Sequence, residues 1–121
     1  MKDLNDLLEA LKSTEIPIHH DNTKSFPELP YVSYSEVNES YEKSDDRIDE
    51  VVLTVQIDLY SLQKTAAANH RLIRKALDEK EIPFDVRRWV TYDNDGRNGN
   101  TTVVRYIYTC EVVEENVGFE D

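Results

Sequence analysis

Apolar residues recur at every second position from Val51 to Leu59, and this pattern predicts a β-strand in the middle of the chain. The apolar positions are Val51, Leu53, Val55, Ile57 and Leu59, and they alternate with Val52, Thr54, Gln56, Asp58 and Tyr60. Successive side chains of a strand point to opposite faces of the sheet. The spacing therefore predicts one buried sheet face and one mostly polar face that is free to meet water or a partner.

Two amphipathic helices are predicted on either side of the early strands. Leu4, Leu7, Leu8 and Leu11 lie on one helical stripe, with Asp3 ahead of them as an N-cap candidate and Pro17 beyond them as a stop. A second helix is predicted from a cap at Thr65 to about Lys80, before Ile82-Pro83. Asn69, Leu72, Ile73, Ala76 and Leu77 share one face of this helix.

Three further strands complete the predicted fold. They cover Tyr31–Val37, Phe84–Tyr92 and Thr102–Val113, and residues 15–30 are predicted to be a connection rich in proline and polar residues. The order of elements is then α-β-β-α-β-β. This order predicts an α+β fold, with a roughly four-stranded, mainly antiparallel sheet and two helices packed on one face.

Residues 1–121 are expected to form one domain with three irregular segments. Residues 38–50 are strongly acidic and contain no glycine or proline, so we predict a long, mobile loop, and loops of more than about 12 residues are often functional. Residues 93–100 contain Asp-Gly and Asn-Gly, which favour a hairpin turn. The acidic tail, residues 114–121, is predicted to be frayed.

The charge of the chain narrows its choice of partners. The 121 residues include 14 Lys and Arg against 25 Asp and Glu, for a net charge of −11. This charge disfavours specific binding to nucleic acids or to anionic membranes. Cys110 is the single cysteine, which suits a reducing compartment, and we expect neither a signal peptide nor a membrane span of about 20 apolar residues.

Candidate chemical motifs are better explained as ordinary structure. His19-His20-Asp21 has no third ligand at a zinc-like spacing, so we interpret it as a polar connection. Residues 93–96 resemble the start of a calcium loop, but Arg97 and Val104 occupy positions that require oxygen ligands. Cys110, in the middle of a predicted strand, is interpreted as a packed thiol. We therefore predict no catalytic residue, no metal, no cofactor and no enzymatic activity.

Opposite charges are concentrated in two parts of this acidic chain. Arg71, Arg74 and Lys75 form a basic face on the second predicted helix, and the predicted acidic loop carries Glu39, Glu42, Asp45, Asp46 and Asp49. The basic face is either solvated, paired with the loop of its own subunit, or in head-to-tail contact with the loop of a second copy. Exposed ion pairs contribute about 0–1 kcal/mol each, so they would orient such an interface. The candidate interface also includes Asp95 and Arg97.

Several segments together resemble a known family. They are Pro30–Tyr34, the acidic loop, Val52–Ser61 with its following helix, Ile82–Phe84, and Tyr106–Tyr108. In order and spacing they resemble the tail-terminator proteins of long-tailed siphophages, which are also called tail-completion or tail-to-head joining proteins. The resemblance covers nearly the whole chain.

The resemblance implies a structural role in virion assembly. Members of this family form a ring, a homohexamer, on the end of the tail tube, stop its polymerisation and provide the interface for head attachment. The implied partners are other copies of the chain, the major tail tube protein and a head completion or connector protein, with DNA passing through the lumen without specific binding. The implied location is the tail–head junction of the virion, and the host cytoplasm during assembly. The alternatives are another head–tail connector or neck component, and a small acidic inhibitory or regulatory protein.

Overall fold

The computed structural model describes residues 1–21, 28–44, 47–93 and 101–114, and for residues 43, 44, 47–49, 91–93 and 101 it describes the backbone alone. The elements in chain order are α1 (Leu4–Ser13), β1 (Ile18–His20), β2 (Tyr31–Ser44), β3 (Arg47–Leu62), α2 (Gln63–Glu79), β4 (Asp85–Asp93) and β5 (Thr101–Val113). The predicted α+β class is confirmed. No helix among the described residues is long and apolar enough to cross a membrane.

The sheet has five strands in the order β1-β2-β3-β5-β4. Strand β1 runs parallel to β2, and the other neighbouring pairs are antiparallel. The prediction of a roughly four-stranded, mainly antiparallel sheet therefore omitted one strand, because β1 lies in the segment that was predicted to be a connection. Three residues are too few to show a strand period, and β1 is held by pairing with Val32–Tyr34.

The hydrophobic core lies on one face of the sheet, under both helices. The residues that form it include Leu7 and Leu11 from α1, Ile73 and Leu77 from α2, Val55, Ile57 and Leu59 from β3, and Tyr106, Tyr108 and Val112 from β5. On the strands these are alternate residues, as the period of two predicted. The opposite face, which we call the open face, carries the intervening residues of β3 and β5.

Each helix is followed, after one C-cap residue, by the same three residues, Glu-Ile-Pro. Glu15 and Glu81 have φ angles of 65° and 58°, in the left-handed region that terminates many helices. After α2, the amide of Glu81 donates to Asp78 and that of Ile82 donates to Leu77, which is a Schellman motif. Burial of the isoleucine against the end of the helix holds each turn, and the proline prevents further helix.

The N-terminus of α1 was predicted correctly, whereas that of α2 was not. The carboxylate of Asp3 accepts a hydrogen bond from the amide of Asp6, and the Asp6 carboxylate accepts one from the amide of Asp3. Helix α2 begins at Gln63 without a side-chain cap. The Thr65 hydroxyl instead lies 3.1 Å from that of buried Ser61, to which Asn69 also donates a hydrogen bond.

The acidic segment forms strands where a loop was predicted. Residues 38–44 belong to β2 and residues 47–50 to β3, and they pair across a hairpin with register shifts at Glu36/Asn38 and Glu42/Lys43. The segment is held as a hairpin by the backbone pairing of β2 with β3. Its charged composition gives no sign of this pairing. The tip at 45–46, the predicted turn at 94–100 and the tail at 115–121 lie outside the described residues.

Candidate functional site

The β2–β3 hairpin extends past the end of the sheet. Strand β5 pairs with β3 only as far as Val52, opposite Val113, so that residues 42–44 and 47–50 form a two-stranded ribbon without a third strand among those described. We call this segment the acidic ribbon. Three residues of β2 lie beyond the Tyr41–Val51 pair, which corresponds to a projection of about 10 Å.

The acidic ribbon contains a direct like-charge pair. Glu42 lies opposite Glu50 in the register, and both side chains are exposed. Like charges in directly opposite positions of a β-ladder are destabilising. Glu39, at the base of the ribbon, accepts a hydrogen bond from the Tyr41 hydroxyl. A basic partner would relieve the repulsion between Glu42 and Glu50.

The orientation of α2 follows from two contacts. On one flank, Asn69 donates to Ser61 of β3 at 2.9 Å. On the other flank, Nδ1 of His70 lies 2.6 Å from the hydroxyl of Tyr108, and its ring stacks on Tyr106 of β5 with a centroid distance of 4.2 Å. Arg74 follows His70 by one turn and therefore lies on the β5 side of the helix.

The basic residues of α2 continue the flank that His70 begins. Arg71, Arg74 and Lys75 are all exposed, and they line an open depression together with Asp78 and Glu79. Burial, followed by the charges of Arg74 and Arg71, lowers the pKa of His70. The positive potential of this flank therefore reaches the edge of the core.

Strand β4 forms the edge of the sheet next to this flank. Its described side chains, residues 85–90, are all exposed, and those of Val86, Trp89 and Val90 are 41%, 51% and 42% accessible. Arg87 and Arg88 lie between these apolar residues. We call the set Arg71, Arg74, Lys75, Arg87 and Arg88 the basic side. None of its members forms an ion pair with a described side chain.

The acidic ribbon and the basic side belong to opposite edges of the subunit. Strands β3 and β5 separate β2 from β4, a distance of about 14 Å at the usual strand spacing. Among the described residues, no ion pair joins the ribbon to the basic side. Of the other candidate interface residues, Asp49 is described by its backbone alone, and Asp45, Asp46, Asp95 and Arg97 lie outside the described residues.

A row of aromatic residues and one cation crosses the open face. Tyr31, Tyr60, Arg105 and Trp89 are register partners on β2, β3, β5 and β4. Tyr31 and Tyr60 stack at 4.8 Å, and the Arg105 guanidinium carbon lies 5.4 Å from the Tyr60 ring and 5.7 Å from the Trp89 ring. Burial is the main cause that raises the pKa of Tyr31, to about 12. This row could not be predicted from the sequence, because it depends on the register of four strands.

A second cluster that sequence spacing does not predict lies where β1 meets β2. His20, Asp21 and Glu36 bring one potential ligand atom each within 4.8 Å of one another, so Glu36 supplies the third group that sequence spacing lacked. Nε2 of His20 lies 2.7 Å from the Glu36 carboxylate, and the ring stacks on Tyr34. The hydrogen bond to Glu36 raises the pKa of His20. An exposed ion pair accounts for this geometry.

Cys110 lies on the core face of β5, beside an open cleft of about 780 Å³. The residues that line the cleft include Lys2 and Pro83, and Cys110 itself is 3% accessible. Burial raises the pKa of the Cys110 thiol to about 12, so that it is protonated at neutral pH. The interpretation of Cys110 as a packed thiol agrees with its position.

Comparison with known proteins identifies the family. The family model described as tail completion protein gp17 matches residues 4–115, which is nearly the whole chain. No curated protein matches the chain significantly. The family consists of structural phage tail proteins, in agreement with the resemblance described above. The chain, with its acidic ribbon at one edge of the sheet and its basic side at the other, belongs to the phage tail completion family of gp17.

Proposed function

We propose that copies of this chain form a ring, a hexamer as the family resemblance implies, on the end of the finished tail tube. The ring stops polymerisation of the major tail tube protein and presents the surface to which a head completion or connector protein binds. The observation that carries this proposal is the location of opposite charges at opposite edges of one subunit. Contacts between unlike surfaces are heterologous, and they close into rings when the rotation permits.

The acidic ribbon is suited to reach beyond its own subunit. It projects about 10 Å past the end of the sheet, and among the described side chains no cation forms an ion pair with Glu42 or Glu50. In the ring, the ribbon of one subunit contacts Arg71, Arg74 and Lys75 of the next subunit or the surface of the adjacent ring. Such ion pairs select the orientation of the subunits, while apolar contacts supply most of the stability.

The proposal is tested by electron microscopy of the purified protein mixed with tail tubes from the same phage. A tail-completion ring is expected at one end of each tube, and addition of the protein to polymerising tube subunits should stop elongation. Binding to the head connector without binding to tubes would identify a neighbouring connector component instead. A small monomer or dimer with affinity for neither would contradict a role in the tail.

Deletion of residues 42–49 separates the role of the ribbon from folding. We expect the shortened chain to fold, because these residues lie beyond Val52–Val113, the last pair between β3 and β5. It should fail to join tails to heads. The matched control is Glu28→Gln, which removes an exposed carboxylate outside the ribbon and should leave assembly unchanged. Normal virion assembly with the deleted chain would refute the role of the ribbon.

A further inference from the structure

We propose that the outer edge of β4 pairs with the outer edge of β2 in a second copy of this chain, so that the sheet continues from one subunit to the next. This inference rests on the proposed ring and specifies its subunit interface. A charge contact between side chains requires no particular backbone arrangement, whereas pairing of edges requires two free strands of compatible length and charge. Both strands are present on the subunit.

The first free edge is β4. It is nine residues long and is the last strand of the sheet, with β5 as its neighbour on one side. Proteins usually shield long edge strands, because the unpaired backbone groups accept another chain. Here Val86, Trp89 and Val90 are each more than two-fifths exposed, and they lie on both faces of the strand. An apolar edge of this length is suited to receive a partner strand.

The second free edge is the greater part of β2. Strand β1 covers β2 only at Val32–Tyr34, so residues 35–44 have no neighbour on their outer side among the described strands. This free stretch is ten residues long, close to the nine of β4. Val37 and Tyr41 are exposed along it, at 53% and 51%.

Charge determines which edges can meet. The middle of the β4 edge carries Arg87 and Arg88, with Asp85 and Asp93 at its two ends. The free stretch of β2 carries Glu36, Glu39 and Glu42 against the single cation of Lys43. Two β2 edges would bring glutamates together, which disfavours that symmetric dimer. Pairing of β4 with β2 brings opposite charges together. Because the two edges lie on opposite sides of the subunit, each copy can receive one neighbour and be received by another.

The basic flank of α2 lies on the same side of the subunit as β4. The stacking of His70 on Tyr106 places this flank over β5, and Tyr106 is the register partner of Arg88. Arg71 and Arg74 thus lie toward the edge that receives the acidic strand. The edge pairing and the helix contact described above belong to one continuous interface.

The test uses two charge-reversed chains that should complement each other. The first is Arg87→Glu with Arg88→Glu, and the second is Glu39→Arg with Glu42→Arg. Each chain alone meets a like charge at every interface, so we expect its assembly to require a concentration at least about tenfold higher than the wild type. In an equimolar mixture, alternating subunits restore opposite charges at every interface, and assembly should recover. Sedimentation velocity and microscopy on tail tubes measure assembly, and circular dichroism verifies folding.

Backbone pairing is then distinguished from side-chain attraction by hydrogen exchange of the assembled wild-type chain. Amides of 85–93 and of 35–44 should both gain protection on assembly. Protection limited to residues 71–75 of α2 would overturn the edge pairing.

The possible outcomes separate this inference from the proposed function. If the wild type caps tubes and neither reversed chain is impaired, the edge pairing is wrong and the capping function stands. If the wild type self-associates with the expected complementation and gains protection at 85–93 and 35–44 but does not bind tubes, the edge pairing stands and the capping function is wrong. If the wild type assembles neither in solution nor on tubes, both are wrong.

Discussion

The guanidinium of Arg105 lies 3.2 Å from the carboxylate of Asp58, on the sheet face opposite the helices. The side chains are 27% and 14% exposed, so water screens the pair incompletely. Gln56 also donates to Asp58, at 3.2 Å. The Tyr60 and Trp89 rings lie on two sides of Arg105, and these two contacts hold the cation in place.

Replacement of Asp58 by alanine should therefore destabilise the fold. It leaves the Arg105 cation partly buried without its counter-charge, and we expect the free energy of unfolding to fall by about 1–3 kcal/mol. Urea denaturation measures the loss. The control is Thr54→Ala, on the same face of β3 and without an ion pair among the described residues. An equal effect of both substitutions would contradict a specific role of the ion pair.

A substitution in the Glu42–Glu50 pair of the acidic ribbon should instead stabilise the protein. Glu50→Lys converts repulsion into attraction and should stabilise the hairpin by up to about 1 kcal/mol. Because the groups are exposed, the gain should shrink at high salt. Urea denaturation at low and high ionic strength measures both effects. A gain that is independent of salt would show that charge is not its cause.

The left-handed residue after α2 offers a stabilising substitution. Glu81 has a φ of 58°, which a β-carbon disfavours and glycine accepts. Glu81→Gly should raise the free energy of unfolding by about 0.5–1 kcal/mol, after allowance for the greater entropy of the unfolded chain. Glu81→Ala keeps the β-carbon and is the control. A similar gain from both variants would point to the lost charge instead of the backbone.

Two histidines should titrate on opposite sides of the ordinary histidine pKa, about 6.5. The hydrogen bond to Glu36 raises the pKa of His20, whereas burial and the neighbouring arginines lower that of His70. NMR titration of the imidazole signals measures both. His70→Gln and His20→Gln assign the signals, and the reverse order would contradict the contacts described.

These shifts also predict how each histidine changes stability with pH. The contribution of His20 is present below pH 6.5 or so and is lost as the pH rises through its raised pKa. The contribution of His70 is present above that pH and is lost as the pH falls through its lowered pKa. Relative to the wild type, His20→Gln should therefore lose most stability in mildly acidic buffer. His70→Gln should lose most in neutral or alkaline buffer.

The Cys110 thiol should be unreactive in the folded protein. It is buried and its pKa is raised to about 12, so little thiolate is present at pH 8 and reagents cannot reach it. Ellman's reagent should label Cys110 only after denaturation. Rapid labelling of the native protein would mean that β5 opens locally or that this part of the core is accessible.

Much of the fold could be predicted from periodicity. The central strand, both helices and the buried side of β5 were predicted because each is long enough for its apolar residues to repeat several times. The N-cap at Asp3 and the helix stops at Pro17 and Pro83 could be predicted, because helix capping and helix termination depend on residues close together in the sequence.

The predictions that were wrong concern segments whose pairing partners are distant in sequence. Strand β1 is too short to show a period, and the acidic hairpin has a composition typical of a loop, yet both are held by strands already in place. The His20–Glu36 contact depends on the same pairing. Thr65 was predicted to be a helix cap, but its hydroxyl contacts the Ser61 hydroxyl and the Leu62 carbonyl.

The sequence by itself determined the elements, the buried sheet face and the two concentrations of charge, because these properties depend on residues close together in the chain. Only the tertiary structure decided that β2 and β4 lie on opposite sides of the subunit and that Arg105 faces Asp58. Strand order and register depend on which distant segments pair, and local patterns do not encode that choice.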